Sequence, residues 1–141
     1  MELNNISFEE ATFRPLPQGI DVSASSEQTK AQLAVDGNPT TYWLGLVDFA
    51  TFRIYFTGGR EWISAIRIKT WYINARNAEF TIYGKEDKGS PSIKIGYKIV
   101  PIEKFSPNDP QSIDIDVKWG QYDLLEIQVG RVPIINEIEI F

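Results

Sequence analysis

The chain of 141 residues contains no cysteine and no histidine. Without cysteine it can form no disulfide, zinc–thiolate site or iron–sulfur cluster. Without histidine it lacks the usual general base near neutral pH and a common protein ligand of zinc, iron and copper. These two absences exclude the histidine-based hydrolases and the histidine-ligated metal enzymes.

Long apolar segments are also absent, since no stretch approaches the roughly 20 apolar residues that span a bilayer. The chain has 14 basic and 19 acidic residues and a net charge of −5. We therefore expect neither a nucleic-acid partner nor membrane insertion. Residues 1–5 lack the basic and apolar regions of a signal peptide. The location stays open: extracellular for a module of a longer secreted protein, and otherwise cytoplasmic or in a virion.

Helical periodicity is nearly absent, and apolar residues instead alternate with polar ones between turns rich in Gly, Pro, Asn and Asp. The pattern predicts one helical turn at residues 31–35 and eight strands, at residues 20–24, 51–57, 63–71, 78–83, 93–100, 112–118, 122–129 and 134–140. This organisation indicates an all-β protein, an antiparallel β-sandwich or jelly roll. No linker or repeat interrupts residues 1–141, so we expect a single domain.

Four segments occur in an order that is similar to a known family. They read VSASSE at residues 22–27, AVDGNPTTYW at 34–43, FRIYF with ISAIRI at 52–56 and 63–68, and NEIEIF at 136–141. The second segment resembles the signature A-x-D-G-(D/N)-x-x-T-x-W. Over residues 20–141 the chain thus resembles the discoidin or coagulation factor V/VIII type C domain, within the galactose-binding-like β-sandwich superfamily. The cysteine pair and the long apolar spikes of some members have no counterpart, which points to the bacterial or viral carbohydrate-binding branch.

The resemblance implies a structural Ca²⁺ at the loop formed by residues 36–41. Gly37 permits a sharp turn, and the loop is rich in the oxygen atoms that hard cations prefer. Carried over by motif position, the ligands would be the carbonyls of Leu33, Asn38 and Asn136, the carboxylates of Asp36 and Glu137, and the carbonyl and hydroxyl of Thr41. The residues alone also allow a plain Asx turn beside a solvated Glu137.

Residues 69–80 read KTWYINARNAEF and combine two neighbouring aromatic residues, two amides and a guanidinium. Sugar recognition needs an aromatic platform and planar polar groups that bond adjacent hydroxyls. In carbohydrate-binding members of the resembled family, the corresponding loop lies at one end of the sandwich. The predicted ligand-binding residues are Trp71 or Tyr72 for stacking, Asn74, Arg76 and Asn77 for hydrogen bonds, and Arg131, before the closing strand, as a further contact.

Packing roles compete with binding roles for several of these side chains. Trp71 is as suited to structure as to stacking, and Arg76 could pair with Glu79. We expect Trp43 and Trp62 to pack in the core or at its rim. Trp119 could cover a strand end.

Catalysis has little support in the sequence. Carboxylates are the only conventional acid–base groups left, and the alternating pairs Asp114/Asp116 and Glu137/Glu139 are typical of solvated strand faces. No nucleophile elbow, P-loop or dinucleotide-binding motif occurs. We therefore expect a non-catalytic carbohydrate-binding module that targets a covalently linked catalytic or structural domain, or a particle, to a glycan. The alternative is a protein–protein scaffold or a subunit of a virion or complex, with the same fold and no sugar ligand.

Overall fold

A computed structural model describes residues 13–141 of the protein. Residues 1–12, which include the segment inspected for a signal peptide and the start of the expected domain, lie outside the described residues. One 3₁₀ helix, Gln28–Ala34, is present in the described range. Within residues 13–141, no helix is long and apolar enough to cross a membrane. The strands are β1 (Arg14–Pro15), β2 (Ile20–Ala24), β3 (Trp43–Leu44), β4 (Phe49–Phe56), β5 (Glu61–Thr70), β6 (Asn77–Lys85), β7 (Ile93–Pro101), β8 (Gln111–Tyr122), β9 (Leu124–Gly130), β10 (Ile134–Ile135) and β11 (Glu137–Ile140).

The strands form two main antiparallel sheets. One sheet has four strands in the order β1-β11-β5-β8, and the other has five in the order β2-β4-β9-β6-β7. The short strands β3 and β10 pair with each other. Buried apolar residues from both sheets form one cluster, and its largest fully buried side chains are Trp43, Phe52, Phe56 and Phe80. The predicted all-β antiparallel sandwich is confirmed.

All eight predicted strands are present, because the alternation that predicted them also decides which side chains are buried. In β4, for example, Phe52 and Ile54 are buried, whereas Arg53 is half-buried and Tyr55 is exposed. The two-residue strands β1 and β3 escaped prediction, since two residues carry no period. The predicted helical turn corresponds to the 3₁₀ helix.

The last predicted strand, residues 134–140, is divided at Asn136 into β10 and β11. The chain changes partner here, because β10 pairs with β3 and β11 pairs with β5. Asn136 is fully buried, and its backbone N–H donates to the Lys69 carbonyl over 2.7 Å. Its side-chain amide donates to the carbonyls of Pro39 over 3.0 Å and Pro107 over 3.2 Å. The break therefore ties two loops to the closing strand.

Strand direction brings three loops to one end of the sandwich. β4 and β6 begin at this end and β9 ends there, since Gly130 lies opposite both Phe49 and Glu79. β5 leads through residues 71–76 into β6. Three loops are thus neighbours, at residues 45–48, 71–76 and 131–133. The start of β11 lies at the same end, because its Glu137 is opposite Lys69 of β5.

Candidate functional site

Side chains from the three loops line a shallow cavity of about 330 Å³ at this end of the sandwich. We call it the end-loop site. Its lining residues are Asp48, Phe49, Arg76, Asn77 and Arg131. Three of them, Arg76, Asn77 and Arg131, belong to the ligand-binding set predicted from the sequence, so the structure brings together residues from two separate loops.

Arg76 links the loops of the end-loop site. Its guanidinium donates to the backbone carbonyl of Arg131 over 2.7 Å and lies 3.7 Å from Asp48 Oδ1. Its Cζ lies 4.7 Å from the ring centroid of Tyr72, a cation–π geometry. The alternative pairing with Glu79 is not formed, and Glu79 Oε2 instead accepts a hydrogen bond from the Tyr97 hydroxyl over 2.7 Å. Arg76 therefore orders the site, and its remaining donors stay available.

Arg131 combines an exposed side chain with a left-handed backbone conformation, at a φ of 67°. Residues other than glycine rarely adopt this conformation. The backbone is held there because the Arg131 N–H donates to the Asp48 carbonyl over 2.6 Å and its own carbonyl accepts from Arg76. Within residues 13–141 the guanidinium has no hydrogen-bond or ion-pair partner. All five of its N–H donors can therefore face a ligand.

Arg131→Gly is expected to raise the free energy of unfolding by about 1 kcal/mol, because glycine adopts positive φ without the steric cost that other L residues carry. Denaturant titration measures the change. Arg131→Ala retains a Cβ and is the matched control, for which no such gain is expected. If Arg131→Gly were less stable than Arg131→Ala, the inferred backbone strain would be wrong.

The two predicted stacking residues lie beside the cavity rather than in its lining. Trp71 is half-buried against the core and meets Tyr42 edge to face, with ring centroids 5.3 Å apart and an interplanar angle of 82°. Tyr72 is also half-buried, and Arg76 covers one face of its ring. Protein groups thus contact both rings, and the stacking of a sugar on either ring stays a prediction.

The two predicted amides, Asn74 and Asn77, are exposed. Neither side chain has a hydrogen-bond partner in the described part of the chain. Asn77 is the first residue of β6 and lines the cavity, whereas Asn74 lies in the preceding loop, outside the lining. A free amide offers two donors and a carbonyl acceptor. Asn77 and Arg131 together supply planar polar groups at one cavity.

Phe49 is a member of the end-loop site that the sequence analysis missed. Its side chain is 65% exposed, and it occupies an outward position of β4 in line with Thr51 and Tyr55. Its ring lies against Gly130, where an added Cβ would come within 2.9 Å of a ring carbon. An apolar residue on the polar face of an alternating strand is the signal that could have identified it.

The predicted calcium loop, residues 36–41, follows the 3₁₀ helix that contains Leu33. The Asp36 carboxylate accepts hydrogen bonds from the Asn38 N–H over 3.0 Å and from the Thr41 hydroxyl. The Thr41 hydroxyl also lies 3.0 Å from the Asn38 carbonyl oxygen. Oxygen atoms of three predicted ligands therefore converge in this loop.

Glu137 reaches the same loop from β11, and its Oε2 accepts a hydrogen bond from the Gly37 N–H over 3.2 Å. The residue is only 7% exposed, so the interpretation of Glu137 as a solvated strand residue is wrong. Burial raises the pKa of Glu137 to about 7; the hydrogen bond from Gly37 opposes this rise, and the charge of Asp36 adds to it. In the described part of the chain, Glu137 Oε1 and Asn136 Oδ1 are buried without a hydrogen-bond partner.

These unsatisfied oxygens fit a hard cation. Buried polar atoms are rarely left unpaired, and an ion bound by carboxylate, carbonyl and hydroxyl oxygens would satisfy them. Residues 13–141 contain no group of three or more Asp or Glu side chains that could hold a metal. The donor set would therefore have two carboxylates, Asp36 and Glu137, completed by neutral oxygens. Such a set suits Ca²⁺ rather than a softer metal.

A second aromatic feature lies at the opposite end of the sandwich. Trp62 and Trp119 are 51% and 66% exposed, and their rings stack with centroids 4.6 Å apart at an angle of 24°. Trp62 is at the start of β5, whereas the loop of the end-loop site follows the end of that strand. Trp43 is fully buried as expected, but Trp62 is not a core residue.

Comparison with known proteins finds similarity in structure only. No family model matches the chain, and no curated protein sequence is significantly similar to it. Solved structures do match. The CBM32 of AlyQ, in complex with 4,5-unsaturated mannuronic acid, has a TM-score of 0.66 at 16% identity, over 86% of this chain and 93% of that chain.

Two further modules match at similar levels. CpGH89CBM32-5 from Clostridium perfringens, in complex with GalNAc-beta-1,3-galactose, has a TM-score of 0.67 at 17% identity, over 91% of this chain and 99% of that chain. Chitosan-binding module 1 of a chitosanase/glucanase from Paenibacillus sp. IK-5 has a TM-score of 0.62 at 18% identity, over 91% of this chain and 98% of that chain.

These likenesses establish the fold. The chain shares its antiparallel β-sandwich fold with solved CBM32 carbohydrate-binding modules. The galactose-binding-like superfamily that the resemblance implied stays a prediction. The narrower label of a discoidin or coagulation factor V/VIII type C domain stays a prediction. In some neighbours the match is one part of an enzyme chain: a Ruminococcus gnavus GH29 fucosidase matches with a TM-score of 0.69 at 15% identity, over 98% of this chain and 28% of that chain.

Proposed function

We propose that the protein is a non-catalytic carbohydrate-binding module that binds a glycan at the end-loop site. The observation that carries the proposal is the free guanidinium of Arg131, the free amide of Asn77 and the exposed ring of Phe49 around one cavity. Planar polar groups can bond adjacent sugar hydroxyls while an aromatic ring packs against the apolar face of a pyranose. The fold shared with modules described in complex with sugars supports this function.

The charges of the end-loop site favour neutral or acidic sugars. Asp48 lies 3.7 Å from the Arg76 guanidinium and offsets its charge, whereas Arg131 has no acidic partner in the described residues. A basic sugar would therefore meet an uncompensated positive charge. Because the cavity is shallow and open to water, single-site affinity is expected to be modest. Linkage to a catalytic or structural domain, or several copies on one particle, would raise the effective affinity.

We also propose that a structural Ca²⁺ completes the loop at residues 36–41. Its ligands would be the predicted set: Leu33, Asp36, Asn38, Thr41, Asn136 and Glu137. The unsatisfied Glu137 Oε1 supports this assignment, and the unsatisfied side-chain Oδ1 of the neighbouring Asn136 offers one more oxygen besides the backbone carbonyl of the predicted set. The ion would join the segment after the 3₁₀ helix to the closing strand, and so would stabilise the end of the sandwich that carries the end-loop site.

Calcium binding is expected to weaken as the pH falls below about 7. The pKa of Glu137 is raised to about 7 in the metal-free protein, and a metal ligand must be deprotonated. Without calcium, the raised pKa of Glu137 means that its protonated carboxyl contributes to the free energy of unfolding. This contribution is fully present below the ordinary pKa of glutamate and is lost as the pH rises through about 7. Thermal unfolding with and without Ca²⁺ across this range measures both trends. Glu137→Gln should remove both, and their persistence in that variant would rule out Glu137 as their source.

A glycan-array screen of the protein in millimolar Ca²⁺ tests the proposed function. Selective binding to a set of related glycans is the expected result. A folded protein that binds no glycan on the array, and no alginate in solution, would contradict the proposal.

An assembly role without sugar has one observation in its favour. The stacked indoles of Trp62 and Trp119 present apolar surface to solvent at the end of the sandwich opposite the end-loop site. Exposed aromatic clusters are enriched at protein interfaces. Light scattering distinguishes the roles: an obligate multimer that Trp119→Ser dissociates supports assembly, and a monomer fits the binding module.

A further inference from the structure

The outer face of the five-stranded sheet carries another cavity, about 400 Å³ in volume, directly beside the end-loop site. Phe49 lines both cavities, so the two meet at its exposed ring. Six residues that line the second cavity lie on three neighbouring strands of the sheet: Phe49, Thr51, Glu79, Thr81, Gln128 and Gly130.

Strand register explains the shape of this cavity. Two neighbouring rows of residues cross β4, β9 and β6. The first row is Phe49, Gly130 and Glu79, and the second row is Thr51, Gln128 and Thr81. Gly130, in the middle of the first row, has no side chain, and the Phe49 ring lies against it. A Cβ at Gly130 would come within 2.9 Å of Cε1 and 3.1 Å of Cδ1 of that ring. The first row therefore presents an aromatic surface rather than a row of polar side chains.

The second row supplies hydrogen-bonding groups that nothing else in the described residues uses. Gln128 is exposed, and Thr51 and Thr81 are partly exposed. None of these three side chains has a hydrogen-bond partner within residues 13–141. The Glu79 carboxylate accepts from Tyr97 and can accept further bonds. An aromatic ring flanked by an amide, two hydroxyls and a carboxylate is suited to a ligand rich in hydroxyl groups, not to an apolar partner.

Distance along the sheet sets the size of such a ligand. Asn77 in the end-loop site and Thr81 in the second row are four residues apart on β6, which is about 13 Å at the rise of a strand. A single sugar ring is too short to contact both. An oligosaccharide that runs along the strands can contact Arg131 and Asn77 at one end, the Phe49 ring in the middle, and Gln128 at the other end.

We propose that the end-loop site and the cavity beside it form one groove that binds an extended oligosaccharide across Phe49, rather than a single terminal sugar. This inference rests on the proposed function of the end-loop site and adds the length of the ligand. Phe49 is then the aromatic platform at the centre of the groove, and Gln128, Thr51, Thr81 and Glu79 form its far half.

Calorimetric titration with ligands of increasing length tests the groove. The probes are size-fractionated alginate oligosaccharides, from monosaccharide to hexasaccharide, with shorter and longer forms of any glycan retained on the array. In the wild-type protein, affinity is expected to rise about tenfold or more between the monosaccharide and the trisaccharide. Phe49→Ala should lose this gain. Gly130→Ala should lose it too, because the new Cβ displaces the ring.

Tyr55→Ala is the matched control, because Tyr55 is an exposed aromatic residue on the same strand but outside the groove. It should retain the gain with length, and unfolding curves check that each variant folds. Equal wild-type affinity for short and long ligands would overturn the groove while leaving the proposed function intact. The groove would also be overturned if both Phe49→Ala and Gly130→Ala kept the gain in affinity with ligand length. If no probe binds at all, the proposed function fails and the groove with it.

Discussion

Asn77→Ala combined with Arg131→Ala is expected to weaken glycan binding by about 100-fold. The double variant removes the two free planar groups of the end-loop site. A hydrogen bond to a charged group contributes about 1.5–3 kcal/mol and a neutral one about 1, so their sum corresponds to roughly two powers of ten in affinity. Both side chains are exposed and without partners in the described residues, so the melting temperature should change little. Titration with an array-selected glycan measures the loss.

Arg60→Ala is the control for charge, because Arg60 is an exposed arginine in the turn between β4 and β5, at the opposite end of the sandwich. Its affinity for the same glycan should equal that of the wild-type protein. If the double variant binds as tightly as the wild type, the end-loop site is not where the glycan binds. An equal loss in Arg60→Ala would mean that net charge, and not a site, governs binding.

Adding calcium to the metal-free protein is expected to raise its free energy of unfolding by about 2.7 kcal/mol when the ion is at 100 times its dissociation constant. For a chain of this size the melting temperature would rise by roughly 10 °C. The physical reason is that folding brings Asp36 and Glu137 together, so only the folded state has the complete ligand set. Thermal unfolding in chelator and in Ca²⁺ measures the difference.

Asp36→Asn and Glu137→Gln should each abolish most of the calcium response. Glu139→Gln is the matched control, since Glu139 is on the same strand but its carboxylate lies near Lys69 and Arg67 rather than the loop. Magnesium should stabilise much less, because it demands shorter and more regular coordination. A wild-type melting temperature that is the same in chelator and in Ca²⁺ would refute the calcium proposal.

The fold could be predicted because its main signal is local. In segments such as β4 and β8, apolar and polar residues alternate with a period of two. This alternation predicts both that the segment is a strand and which of its faces is buried. The division of the last strand was not predictable in this way. It depends on Asn136 bonding to Pro39 and Pro107, which are distant in the sequence.

The site could be predicted only in part, for a similar reason. The loop after β5 was found from its aromatic, amide and guanidinium groups, and Arg131 from its place before the closing strand. Phe49 was missed because it is a single residue at the start of a strand, and only the register with Gly130 shows its position. The alternating pattern predicts that Glu137 and Glu139 lie on one face of the strand. In the structure the loop at residues 36–41 covers Glu137, which is buried, whereas Glu139 is only half-buried. A contact with so distant a part of the sequence cannot be predicted from alternation.

The most direct test of the central claim is to map the amide chemical shifts of the labelled protein during titration with an array-selected oligosaccharide. We expect the largest shifts at residues 48–49, 76–77 and 130–131, with further shifts at Thr81 and Gln128 for longer ligands. Saturation at a single dissociation constant would show that these residues form one site. Shifts confined to another surface, such as the one around Trp62 and Trp119, or no shifts at all, would contradict glycan binding at this end of the sandwich.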